Sequence, residues 1–242
     1  MKERRSRRWG LILSIVIGAA VLVVVVIVLV PRGSGGGAQP TPLPPVSSGS
    51  ASPTSIGGGG EGVDPGVAKR GWVPEPITQD ADAYARAALE AVSTFDARRS
   101  TRDEWLTWLG TWFTPSPLYD DEQDAADQMA GYKAELAQSV VLPQSQWDDL
   151  ANNDGRVTAR VDGQIEYLDQ PDAAQKHVRT ATANVVTTYT QKGDGTGGEV
   201  SYDQTVRVSV QVVCDGASIP TPGSAQRAGD CKVVRFFDTA VG

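Results

Sequence analysis

The 242-residue chain contains only two cysteines and one histidine. That leaves no Cys/His set of the kind that holds zinc. It has no GxxxxGK[ST] or GxSxG stretch, so the P-loop and serine-hydrolase signatures are missing. Bases are scarce where nucleic acid would need them. Five of the 22 lie in the first eight positions, and the chain after Val30 carries 17 bases against 28 acids, a net charge of −11. Nucleic-acid recognition rests on a basic footprint that displaces counterions, so direct contact with DNA or RNA is not expected. The composition is also too uneven for a uniform globular protein. Only the stretch from about Ile77 onward has ordinary globular composition, enough for one sizeable core and too little for two.

What is present begins with an apolar run. Trp9 to Val30 carries no charge and is dominated by Val, Ile and Leu. As a helix it would span about 33 Å, matching a bilayer core of about 30 Å. Lys2, Arg4, Arg5, Arg7 and Arg8 precede it directly. By the positive-inside rule these bases form a cytoplasmic tail, 1–8, ahead of a transmembrane helix, 9–30. Everything after Pro31 is then expected outside the cell membrane, as in a single-pass protein with a cytoplasmic N-terminus. A cleaved signal peptide is the rival reading, with Gly36 and Ala38 as small residues at a cleavage site. The apolar run is longer than the ~7–15 residues of a signal core.

Residues 31–76 read as a linker. Pro31 to Gly60 holds 23 Gly, Pro, Ser or Thr, around the Pro-rich centre Gln39-Pro40-Thr41-Pro42-Leu43-Pro44-Pro45. Such a stretch buries too little apolar surface to offset ordering and is expected to be disordered. Glu61 to Pro76 is less biased, and Trp72 and Val73 are candidates to pack on the following domain.

The remainder, 77–242, is expected to be one extracytoplasmic α+β domain. Thr78 to Ala97 reads as a first helix, with Tyr84, Ala88, Ala91, Val92 and Phe95 at helical spacing. Thr101 to Phe113 reads as a second, opened by a Thr101/Glu104 capping box and carrying Trp105, Trp108, Leu109 and Trp112 on one face. Tryptophans at that spacing point to core, with a groove as the minor alternative. A third helix is placed at about Pro117 to Ala137. Strands follow at Arg156–Val161, Val178–Tyr189, Tyr202–Val213 and Lys232–Ala240. In the third of these, Val206, Val208, Val210 and Val212 alternate with polar residues, the mark of a half-buried antiparallel strand. Helices first and strands afterwards predict three helices packed on a curved antiparallel sheet of about four strands.

Few residues carry chemistry. Cys214 and Cys231 flank a Pro/Gly-rich loop between the last two strands. If those strands pair, the cysteines meet at the loop base and a disulfide there contributes about 3 kcal/mol by the chain-entropy argument. An extracytoplasmic location permits it, with free thiols as the alternative. His177 sits among Gln175, Lys176 and Arg179 and reads as a solvated residue at a strand start. Tyr167, Tyr189 and Tyr202 fit a core or a cavity lining equally well. Asp120, Asp121, Glu122, Asp124 and Asp127 suit a helix N-terminus better than a calcium site. Asn152-Asn153-Asp154-Gly155 lacks the first Asp and closing Glu of a calcium loop. No catalytic, cofactor or metal residue emerges.

The layout, and the stretch Ala83-Tyr84-Ala85-Arg86-Ala87-Ala88-Leu89 through Thr101-Arg102-Asp103-Glu104-Trp105-Leu106-Thr107-Trp108-Leu109 to Thr114-Pro115, resembles bitopic scaffold proteins of conjugation and type IV secretion machines of actinobacterial mobile elements. The resemblance implies a nuclear transport factor 2-like cone for the outer domain and no catalytic residues or cofactor. It implies a non-enzymatic assembly role in a conjugative DNA-transfer machine. Its partners would be the membrane and other secretion or conjugation subunits, with homo-oligomerisation left open. The same cone serves proteins of lipid-uptake systems and some enzymes. An accessory envelope role in lipid uptake or cell-wall maintenance is therefore the alternative, and a small-ligand binder or enzyme using the cone cavity a further one.

Overall fold

The computed structural model describes residues 62–193 and 197–241. Among them no helix is long and apolar enough to cross a membrane. The basic tail, the apolar run and the linker up to residue 61 lie outside the described residues.

The described chain opens with a 3-10 turn, Pro65–Arg70, capped by the Asp64 side chain and closed by Gly71. Gly71 has φ +78, and a Cβ there would stand 2.7 Å from Cβ of Asp96, so a side chain is excluded on two grounds. Val67 and Trp72 are buried, and Gly62 forms a bridge with Pro76. The packed domain thus starts well before residue 77, inside the stretch assigned by composition to the linker.

Helix α1 (Ala81–Ala91) begins at Asp80, whose side chain accepts from the amides of Asp82 and Ala83. It is shorter than expected. Val92 to Thr94 turn out of the helix, and Phe95–Asp96 form a two-residue strand, β1. Helix α2 (Arg102–Leu109) has the predicted capping box, then tightens into a 3-10 turn at Gly110–Trp112. Helix α3 (Glu122–Glu135) starts from Asp121 as its cap and widens at Leu136–Val140. Two further helices were not expected: α4 (Gln144–Asn152) and the single turn α5 (Pro171–Gln175).

The sheet is antiparallel, with strands β2 (Arg156–Tyr167), β3 (Val178–Lys192), β4 (Glu199–Asp215) and β5 (Gly229–Phe236) following β1 in the order β1-β2-β3-β4-β5. The four expected strands are present, the first three longer than expected and the last running from Gly229 to Phe236 rather than from Lys232 to Ala240, with β1 as a short fifth. Helix α1 packs across β2, β3, β4 and β5. Tyr84, Ala85, Ala88 and Leu89 are wholly buried there, in one core with Val185, Val210, Val212 and Val233. Trp105 and Trp112 are fully buried, whereas Trp108 is half-buried and stacks on Trp72 at 5.1 Å. Helices packed on an antiparallel sheet are the α+β arrangement the sequence predicts and agree with a cone-like fold, although Ala173 of α5 packs in a second, smaller cluster with Val178, Val213 and Val234.

Candidate functional site

The strongest electrostatic feature is buried. Lys232 lies on β5, and its side chain is 1% exposed, as is that of Glu75. Lys232 Nζ donates to Glu75 Oε1 at 2.7 Å, to the Thr111 carbonyl at 2.8 Å and to Thr221 Oγ1 at 2.6 Å. These three contacts use the three protons of an ammonium group. Glu75 Oε1 also accepts from Tyr84 Oη at 2.7 Å and Gln226 Nε2 at 3.2 Å. Its Oε2 is buried with no partner among the described residues. Burial holds Lys232 below the usual lysine range, against the pull of the Glu75 carboxylate. Burial, followed by the Glu75 charge, pushes the Tyr84 phenol well above its ordinary value. The cluster joins three stretches that are distant in sequence: Glu75 and Tyr84, Thr111, and Thr221 to Lys232. Its donors are committed to protein acceptors, so it acts as a joint and exposes no reactive group.

Beside it, Cys214 and Cys231 form the expected disulfide, with an S–S distance of 2.02 Å. The Cys231 amide donates to the Thr78 carbonyl at 2.7 Å, a second tie between β5 and the segment before α1.

The remaining candidates are scattered. His177 is 54% exposed, and its Nδ1 lies 2.9 Å from Asp215 Oδ2, an ion pair when protonated. Both residues have φ near +60 where β3 begins and β4 ends. Tyr167 is partly exposed beneath the Arg179 guanidinium, and its partial burial, followed by Asp82, raises its phenol. Tyr189 and Tyr202 stack at 5.0 Å near the other end of the sheet. The structure brings none of the three tyrosines to His177. Of the acids near α3, Asp121 caps the helix, Asp120 pairs with Lys176 at 2.9 Å and Asp127 accepts from Gln123. Asn152 to Gly155 form the turn from α4 into β2, with the Gly155 amide on the Leu150 carbonyl. Among the described residues, no three His, Cys, Asp or Glu are grouped to hold a metal.

Two of the depressions on the surface of the described residues lie beside the helices. One, about 430 Å³, lies where the end of α1 meets the β3–β4 hairpin, lined by Val92, Val141, Tyr189 and Val206, with Ser93, Thr187, Gln204, Arg207 and Asp238 among its polar groups. The other, about 630 Å³, lies between α2, α3 and the 219–222 loop, lined by Leu106, Phe113, Met129, Leu136 and Pro220. Lys133 borders it, 5.7 Å over the Phe113 ring, its amine lowered by burial. Neither depression pairs an acid with a base at hydrogen-bond distance, which general acid–base work needs. Sequence reasoning missed the Glu75–Lys232 pair, whose partners are 157 positions apart with no local signal.

The sequence matches no described protein family and no curated protein. Three solved structures are similar in shape at low identity. One is an IcmL-like type IV secretion system protein from Legionella pneumophila, 16% identical, covering 69% of this chain and 95% of its own, with a TM-score of 0.43. The second is a periplasmic fragment of TraM, 13% identical over 65% of this chain and 93% of its own, at 0.36. The third is CagV, a VirB8 homolog of the type IV secretion system of Helicobacter pylori, 13% identical over 66% and 97%, at 0.33.

Proposed function

We propose that the protein is a membrane-anchored, non-enzymatic assembly component of a conjugative, type IV secretion-like machine. Its cone domain would stand outside the cell membrane and contact other subunits. The observation that carries this reading is the packing beneath α1 and α2, where Tyr84, Trp105 and Trp112 are wholly buried and Phe95 stacks on Trp147 at 4.2 Å, while the depression beside the end of α1 brings no acid and base within hydrogen-bond distance. Among the described residues, the one fully buried lysine, Lys232, is bound by Glu75. A domain that spends its polar and aromatic interior on rigidity suits a scaffold. The basic tail, apolar run and Pro/Gly-rich linker supply the anchor and reach that such a scaffold needs. The acid excess beyond Val30 suits protein partners better than DNA.

The test is gentle crosslinking of the full chain in its native membranes, capture through a C-terminal tag and mass spectrometry of the adducts. Recovery of a transfer ATPase, coupling protein or channel subunit is expected. Recovery of lipid-transport or wall-synthesis proteins without transfer machinery would replace this reading with the envelope-accessory one.

A further inference from the structure

The groove between α2 and α3 joins apolar walls to a single charge. Lys133 is the one charged residue among those that line it. Met129, Lys133 and Leu136 recur at helical spacing and turn one face of α3 to the groove. Leu106 and Gly110 supply the α2 side, and Ile219, Pro220 and Pro222 the loop side. Elsewhere Lys176 pairs with Asp120 and Lys232 with Glu75. Among the described residues no carboxylate stands within ion-pair distance of Lys133, whose Nζ lies 5.7 Å over the Phe113 ring. The nearest acid in sequence, Glu135, is held by Arg235 through bonds of 2.8 and 2.7 Å. The groove therefore presents a half-buried cation with no acid to answer it. Burial alone lowers its amine, so an anion placed here would restore the charge.

The walls narrow the choice of anion. They offer a peptide backbone little. Pro115, Pro220 and Pro222 have no amide, and the Ile219 and Thr221 amides are given to Thr114 Oγ1 and Gln226 Oε1. The amides along α2 and α3 are spent within their helices. A helix satisfies its own backbone, but it is about 10–12 Å across, and a depression of about 630 Å³ would take in little more than one turn of it. An alkyl chain asks for no hydrogen bond, and that volume lies within the ~300–1,000 Å³ of small-ligand sites. One isolated cation matches one anionic head. We propose that this groove binds a single-chain amphiphile with a carboxylate head, the head on Lys133 and the chain against Leu106, Phe113, Met129 and Leu136. The depression beside the end of α1 has no such division, since Arg207 and Asp238 both line it. The groove is independent of the secretion reading.

The test uses the full chain in native membranes and a diazirine-bearing dodecanoate as the probe. After illumination, adducts are mapped by mass spectrometry, with labelling of the apolar run Trp9 to Val30 as the internal reference. Adducts are expected on the α2, α3 and 219–222 walls, and unlabelled dodecanoate should compete them away. The methyl ester of the probe, which has no charge, should label the groove about tenfold less. Lys133→Glu should lower labelling by a similar factor, and Lys133→Arg should keep it. Gly110 has φ −59, and a Cβ there would meet nothing within 4 Å, so Gly110→Leu suits the backbone and fills the groove. It too should lower labelling about tenfold. Absence of groove adducts in the native chain overturns the proposal, as does labelling that Lys133→Glu and Gly110→Leu leave unchanged. Stronger groove labelling by a diazirine-bearing phosphatidylglycerol than by the carboxylate would assign the site to a membrane phospholipid instead. Carbodiimide joining Lys133 to a carboxylate of another protein would assign it to a protein partner, and either result overturns the proposal.

Discussion

The two halves of β4 share one sequence pattern and have opposite fates. From Ser209 to Cys214 every residue is buried, on the α1 side through Val210 and Val212 and on the other through Ser209, Gln211 and Val213. From Glu199 to Thr205 every residue is exposed, although Val200 and Tyr202 continue the same alternation. The difference lies in what arrives from elsewhere. Helix α1, β5 and the C-terminal segment, whose Val241 amide donates to Ser209 Oγ, all meet the second half. Periodicity reports which residues share a face, but not whether anything covers that face.

If the covered half carries the stability, damage there should dominate. The largest loss is expected from Lys232→Ala, whose residue lies opposite Val213. It strands the Glu75 carboxylate in the core and should cost about 3–5 kcal/mol in chemical denaturation. The double variant Glu75→Leu, Lys232→Met should recover much of that, since both charges leave together. Replacing Cys214 and Cys231 by serine should cost about 3 kcal/mol, and reduction of the native chain should match it. Val212→Ala, a cavity beneath α1, should cost about 2 kcal/mol. Val200→Ala, the same exchange in the exposed half, should stay within about 0.5 kcal/mol. Equal losses at Val200 and Val212 would dissolve the contrast between the halves.

A last effect depends on pH and turns on Asp96, a buried carboxylate on β1, and on Glu199 at the exposed end of β4. Burial opposes ionisation of Asp96, but the bonds and charge of Arg98, helped by Arg99, win and lower its carboxyl below the ordinary value of 3.8. Glu199, held by Arg156 and Arg98, is lowered as well. A carboxylate whose folded value is depressed contributes stability that is complete above the unfolded value. That contribution is lost as pH falls through the folded one. Thermal melts should therefore be flat from pH 7 to about 5 and fall below pH 4, with Asp96→Asn removing part of that fall.

Much of this was legible in the residues. The Thr101/Glu104 box fixed the start of α2 to within one residue, and the valine alternation located β4. The cysteine pair could be read because the loop between its strands is local. Helix α4 escaped because it starts after Pro143 without a side-chain cap and offers only Trp147 and Leu150 as buried residues. The end of α1 was overextended because Phe95 keeps helical spacing although it belongs to a strand paired with Val157. Lys232 reads in sequence as a polar break in an apolar strand. Its burial depends on Glu75, Thr111 and Thr221 converging from three other segments, which no window of sequence contains.

The seating of Glu75 also has a mechanical side. Any load arriving along the chain ahead of Gly62 meets first the Gly62–Pro76 bridge and the Val63 amide on the Glu75 carbonyl. It then meets the Glu75–Lys232 pair. From Lys232 the next residue is Cys231, covalently tied across to β4. Tension would therefore be handed to the central strands through a covalent crosslink before it could peel α1 from the sheet. Such a domain can be pulled on from its N-terminal side and still keep its shape.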